Sequence, residues 1–239
     1  MSSLLTVIFI TKDKSLGNFT WGGGCILLTL YTFIFGSSYY PRQIIATLLI
    51  GIWGIRLSSY LLYRYHKKED LRFKDWKVEW TLRSIGETIW WVCGFQLFLL
   101  LIMSAPIIII NLCSGAGFNM LDCIGTAGYI MGFIIENIAD YQLYRFTSNS
   151  AHDGQIMKEG LWRYSRHPNY FGESVMWWSL YLIAFSVPYG FLTIGAPITI
   201  YLTLRYFSAP LIEKKLANNP DYQEYQARTN MFIPLPPQS

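Results

Sequence analysis

The chain has 239 residues, 52% of them hydrophobic and only 14% charged, with a formal net charge of +4. An ordinary soluble domain carries about 25% charged residues, so this composition excludes that class and points to an all-α, polytopic membrane helix bundle. The basic residues lie in the loops between apolar runs rather than on one soluble face, which excludes a nucleic-acid partner and reads as membrane topology.

Leu4 to Ile10 is too short to span and lacks the basic lead-in of a signal peptide, so a partial or interfacial element is expected there. Trp21 to Phe35 is the first expected span. Its glycines, Gly22, Gly23 and Gly24, suit close helix approach rather than phosphate binding, because no strand precedes them and no helix-opening Lys follows. Ile44 to Tyr63 is the second, and Arg56 within it either snorkels outward or pairs inside. The loop that follows holds Arg64, Lys67, Lys68, Arg72, Lys74, Lys77 and Arg83, which places it in the cytoplasm by the positive-inside rule.

Ile85 to Ile110 is the third span, with Glu87 near its start, Gln96 further in and Pro106 near its far end; the loop after it, to Met120, carries no charge. Leu121 to Phe146 is the fourth, and Glu136 and Asp140 stand four residues apart on one face of it. Phe171 to Ser186 is a short fifth span, and Pro188 to Ile212 a sixth, broken by Pro197 and carrying Arg205. Lys214, Lys215 and Arg228 put the tail from Glu213 in the cytoplasm, where its Pro-Leu-Pro-Pro end is expected to fold back over the mouth of the bundle. The expectation is therefore a single integral-membrane domain of about six spans with both termini cytoplasmic. Either an endoplasmic reticulum or a bacterial inner membrane satisfies these lengths and charges.

Cys25, Cys93, Cys113 and Cys123 lie apart without metal-ligand spacing, so no metal site or disulfide framework is expected. No internal repeat favours a transporter. Arg56, Glu87, Glu136, Asp140, Glu173 and Arg205 all fall toward the cytoplasmic ends of their spans. Two readings follow: a polar cofactor cavity open to the cytoplasm, or buried pairs in which Arg56 and Arg205 neutralise the carboxylates and fix packing.

Polar density peaks in Gly160-Leu-Trp-Arg-Tyr-Ser-Arg-His-Pro-Asn-Tyr-Phe-Gly-Glu173. It reads either as an aromatic and basic belt at a membrane boundary or as a ligand site. For a nucleotide, Lys158, Arg163 and Arg166 supply cations for phosphate, and Asn169 supplies the donor and acceptor that a carboxamide needs. His167 is a proton donor or a phosphate or ribose contact. With no Gly-x-Gly-x-x-Gly and no alternation of strand and helix, a Rossmann site is excluded and any cofactor sits among helices.

Arg166-His167-Pro168-Asn169-Tyr170-Phe171-Gly172-Glu173, preceded by Gly160-Leu161-Trp162, resembles the signature of a membrane family of unknown function, DUF1295-like. That family is related to the C-terminal domain of steroid 5-alpha-reductases and more distantly to sterol reductases and isoprenylcysteine carboxyl methyltransferases. The likeness runs from about Trp53 to Pro234. Its Arg-His-Pro-x-Tyr-x-Gly core serves nicotinamide cofactors in one branch and S-adenosylmethionine in the other. The reductase branch implies an NADPH site using Asn169, Tyr170 and Glu173, Asp140 and Gln142 of a second motif, and Arg205, Tyr222 and Tyr225 near the end. The methyltransferase branch usually lacks that Asn and Glu and has paired glutamates after its last span, where this chain has Glu213 followed by Lys214.

The chain departs from its reductase relatives at several positions. Leu143 and Thr147 stand where sterol reductases carry basic residues, leaving Arg145 as the nearby cation and the choice of NADPH over NADH open. Trp53 occupies the place of the catalytic Tyr of steroid 5-alpha-reductases, which argues against steroid itself. The resemblance implies hydride transfer from NADPH to an activated C=C of a lipid-soluble substrate that enters from the membrane lipids, with Tyr60 and Glu173 as candidate catalytic residues. The alternatives are an S-adenosylmethionine-dependent methyltransferase and a noncatalytic lipid-binding protein.

Overall fold

The computed structural model describes residues 19–36, 40–66, 94, 96–113, 117–152 and 154–238. The expected N-terminal element, Glu87 and the first half of the third span, Cys93 and most of the basic loop lie outside them. Among the described residues the secondary structure is entirely helical. The helices are α1 (Phe19–Phe35), α2 (Pro41–His66), α3 (Gln96–Leu112), α4 (Met120–Thr147), α5 (Pro168–Ala184), α6 (Gly195–Leu202), α7 (Ala209–Leu216) and α8 (Pro220–Arg228). Among the described residues, two stretches are long and apolar enough to cross a membrane, Pro41–Tyr60 of α2 and the whole of α4, while α1 and α3 hold the shorter apolar stretches Trp21–Phe35 and Leu97–Leu112. On α2, Ala46, Ile50 and Trp53 are buried and Leu48, Ile52 and Ile55 are exposed. An outer face as apolar as the inner one suits acyl chains and not water.

The chain forms two compact units, Met1–Asn119 with Ile183–Ala196, and Met120–Leu182 with Pro197–Ser239. In the first, α1 and α2 run antiparallel and touch through their backbones. A Cβ on Gly22 would lie 2.8 Å from the Gly54 carbonyl oxygen, and one on Gly54 would lie 2.7 Å from Ile26 Cγ1. The expected packing role of the glycines thus holds for Gly22, and for Gly24, whose Cβ would meet Leu100; Gly23 faces open space. The last carbonyls of α3, which no later helical turn can satisfy, are taken up from α2: Gln43 Nε2 donates to the carbonyls of Ile110 and Asn111, each at 3.1 Å. Asn111 Nδ2 in turn donates to the Thr29 carbonyl at 3.2 Å and to Thr32 Oγ1 at 3.1 Å.

The second unit is organised by α4 and α5. A Cβ on Gly172 would lie 2.6 Å from the Gly132 carbonyl oxygen and 2.7 Å from Glu136 N, so these helices also cross in backbone contact. Gly128 extends that seam against Ser179.

The fifth and sixth expected spans need correction. Helix α5 starts at Pro168, which suits a first helical position because its missing N–H would have no partner there; Asn169 and Tyr170 therefore lie in the first turn of a helix of 17 residues. Pro197 does not break the next helix, since it falls in the first turn of α6, where N–H groups go unpaired. The irregularity comes later, in a π-helical stretch at Thr203–Ser208 that contains Arg205 and ends just before Pro210.

Candidate functional site

The last turns of α4 carry the loop that leads into α5. Gly160 adopts φ +59°, and the space a Cβ would need is filled by the Gln142 side chain. Gln142 Oε1 accepts the Leu161 N–H at 3.0 Å, and Trp162 Nε1 donates to the Ala139 carbonyl at 3.0 Å. Gln142, expected to touch a cofactor, thus holds the loop through its acceptor atom.

The C-terminal segment lies along the same loop. Arg166 N–H donates to the Asn230 carbonyl at 2.8 Å and Leu235 N–H to the Tyr164 carbonyl at 3.0 Å. Ser165 Oγ donates to the Phe232 carbonyl at 2.8 Å and accepts the His167 N–H at 3.1 Å. The Tyr225 hydroxyl donates to the Trp162 carbonyl. The expected folding back of the tail is therefore real in the sense that residues 228–235 lie on the motif loop.

The strongest electrostatic feature is Glu213, buried in α7. Arg166 grips it with two bonds, Nε to Oε1 at 3.0 Å and Nη2 to Oε2 at 3.2 Å. His167 Nε2 stands 3.0 Å from Oε1, and Gln226 Nε2 donates to Oε2 at 3.1 Å. Arg166 Nη1 reaches the carbonyls of Gln226 at 2.8 Å and Thr229 at 3.2 Å. Burial alone would push the Glu213 carboxyl up, but the His167 hydrogen bond and the Arg166 charge outweigh it and hold the group below the ordinary carboxylate range. Burial pushes the phenols of Tyr222 and Tyr225 up, and the Glu213 charge adds to this.

Several of the residues expected at a cofactor have protein partners in this structure. Arg166 and His167 face Glu213, and Arg166 also the tail, matching the charge of a buried carboxylate. Tyr225 fastens the loop, and Tyr222 is buried beside Glu213. Tyr170 is buried and stacks on His167 with ring centroids 5.2 Å apart. The Arg205 guanidinium reaches Met231 Sδ and lies 5.4 Å from the Tyr206 ring centroid. Arg145 and Arg163 are exposed and Lys158 is half-buried.

Asp140 and Asn169 are brought together by the structure. Asn169 Nδ2 donates to Asp140 Oδ1 at 3.1 Å, across the α4–α5 seam. A carboxylate accepts only, so Asp140 fixes the amide orientation and leaves Asn169 Oδ1, a buried acceptor, with no hydrogen-bond partner. Glu173 lies one turn further along the same side of α5, and Glu136, buried, one turn back along α4. Tyr60 belongs to the other unit, with the Arg56 guanidinium 5.7 Å from its ring centroid. Among the described residues no cluster suits a metal ion.

The residues missed by sequence reasoning are Glu213 as a hub, Ser165 and Gln226. Their signal was present: Glu213 is a lone acid at the end of an apolar run, and Ser165 stands two residues before His167, a spacing at which a hydroxyl meets a backbone N–H.

The fold and site together define an all-α protein with two membrane-length apolar helices and a polar motif loop bound to its own C-terminal segment. Residues 5–229 match the family described as "Protein of unknown function (DUF1295)", and the chain belongs to that family. No curated protein and no solved structure matches it.

Proposed function

We propose that this protein is a multi-pass membrane oxidoreductase, of about six spans with both termini cytoplasmic, that reduces an activated C=C of a lipid-soluble substrate with NADPH. The observation that carries the reading is Asn169 Oδ1, a buried acceptor aimed beside Asp140 and lacking a donor. A nicotinamide carboxamide offers such a donor, and a buried acceptor left without one costs about 1–3 kcal/mol. Arg163 and Arg145, exposed, and Lys158, half-buried, are the cations that this reading assigns to the phosphates. The bound dinucleotide would supply a hydride for one alkene carbon and leave oxidised. The other alkene carbon then takes a proton, for which Glu173 is the candidate on α5.

Methyl transfer is less well supported. Glu213, the acid at the place of the paired glutamates of that branch, is occupied by Arg166, His167 and Gln226, and its neighbour Lys214 is exposed. The test is thermal stability of the purified protein with NADPH, NADH and S-adenosylmethionine, where a ligand at 100 times its dissociation constant stabilises by about 2.7 kcal/mol. Stabilisation by NADPH that disappears in Asn169→Ala is expected. A response to S-adenosylmethionine alone would replace the reading with methyl transfer, and no response to any of the three would leave a noncatalytic lipid-binding protein.

A further inference from the structure

Arg166 and His167 are the two motif residues best suited to an anionic ligand, yet their side chains are 10% and 5% exposed and both end on Glu213. The consequences of that contact run in two directions. Toward the C-terminus, the same Arg166 holds the Thr229 carbonyl through its side chain and the Asn230 carbonyl through its N–H. Ser165 and Tyr164 continue the line to Phe232 and Leu235. Toward α5, the His167 carbonyl accepts the Phe171 N–H at 3.1 Å and its ring stacks on Tyr170. The first turn of α5, with Asn169 inside it, is thus set by a residue whose own ring is set by Glu213.

We propose that Glu213 is a positioning residue: by drawing Arg166 and His167 onto itself it makes residues 228–235 a strap that fixes the motif loop and the first turn of α5. The Arg-His pair then serves placement rather than ligand contact. The value of that placement for Asn169 rests on the nucleotide reading above; the strap itself does not. A salt bridge that merely added stability would not need to connect the tail, the loop and the helix start through one carboxylate.

The experiment uses the full chain in mild detergent without nucleotide and compares Glu213→Gln with Glu224→Gln, which removes only the exposed pair to Arg228 at 3.4 Å. Two signals are followed: tryptic cleavage after Arg228, and amide hydrogen exchange in peptides containing Phe171 and Leu235. Loss of one charge-assisted contact predicts that cleavage and exchange in both peptides rise about tenfold or more in Glu213→Gln, with Glu224→Gln like wild type. Glu213→Asp, which keeps the charge on a shorter stem, restores most of the protection and covers the case in which the Gln variant does not fold.

Wild-type exchange at both peptides in Glu213→Gln would overturn the proposal, as would a loosened tail with an unchanged first turn of α5. The same proteins are then titrated with NADPH. Loss of the NADPH stabilisation in Glu213→Gln, with recovery in Glu213→Asp, is the expected sign of positioning. An unaltered NADPH stabilisation in a Glu213→Gln protein with an open strap would overturn it. If wild type ignores NADPH while the strap and α5 open as described, the nucleotide reading falls and the positioning role stands.

Discussion

Arg166→Ala separates the two roles that a motif arginine can have. In the structure it removes both bonds from the guanidinium to Glu213 and leaves that carboxylate, 8% exposed, without its charge partner. Breaking a buried pair from one side costs about 3–5 kcal/mol. His167 and Gln226 still hold the carboxylate, which places the expected loss near the lower end, about 3 kcal/mol. At roughly 2–4 °C per kcal/mol for a chain of this size, thermal unfolding without nucleotide should occur about 6–12 °C lower. The pH dependence moves as well. Because the folded Glu213 carboxyl is held below its ordinary value, its contribution is present above the unfolded value, about 4.3, and is lost as pH falls through the folded value. Without Arg166 only burial and the remaining hydrogen bonds act on it, so its pKa rises and acid destabilisation begins at higher pH. Thermal scans of both proteins across acidic to neutral pH measure this. A variant with wild-type stability and an unmoved acid limb, defective only in its response to nucleotide, would refute the clasp and restore Arg166 as a phosphate contact.

Three further outcomes are expected from thermal unfolding of single variants. Gly172→Ala sets a Cβ 2.6 Å from the Gly132 carbonyl oxygen and forces α4 and α5 apart, costing about 1–3 kcal/mol, whereas Gly51→Ala, with nothing within 4 Å, is neutral or stabilising. Gly160→Ala meets both a left-handed φ and the Gln142 side chain, and should cost more than the about 1–2 kcal/mol expected of Gly154→Ala, which has φ +79° but open space. Trp162→Phe loses the bond to the Ala139 carbonyl and part of the buried ring, a loss of at least about 1 kcal/mol, with far-UV circular dichroism confirming that the helices stay in place.

The helices could be read from the sequence where apolar length alone decides the matter. The expected span Leu121 to Phe146 is α4 to within one residue at each end, and Trp21 to Phe35 is α1 with two more residues in front. A proline has two possible meanings in sequence: Pro197 suggests a break but falls in the first turn of α6, and Pro168 opens α5 three residues before the expected boundary. The site was legible as a set of residue types and not as a set of partners. Spacing within α4 gives the shared face of Glu136 and Asp140, because helical periodicity is local. The contact between Arg166 and Glu213 joins residues 47 apart in sequence, and nothing in either segment alone says which cation will find which acid.

This division explains how one short motif can be compatible with more than one chemistry. In Arg-His-Pro-x-Tyr-x-Gly, each fixed residue has a placement task in this chain. Arg166 and His167 bind Glu213, Pro168 opens α5, Tyr170 stacks on His167, and Gly172 lets α5 meet the backbone of α4. What these residues specify is the entry angle of a helix and its contact with the helix before it. Of the two residues left variable within that core, Asn169 and Phe171, Asn169 is the one whose side chain crosses to Asp140 and retains an unused acceptor; Glu173 follows the core directly. Under the proposed nucleotide reading, ligand choice falls to that variable position and to the acids on α4, on a framework built by the fixed ones. Exchanging Asn169 should therefore change ligand response while sparing stability, and exchanging Arg166 should do the reverse.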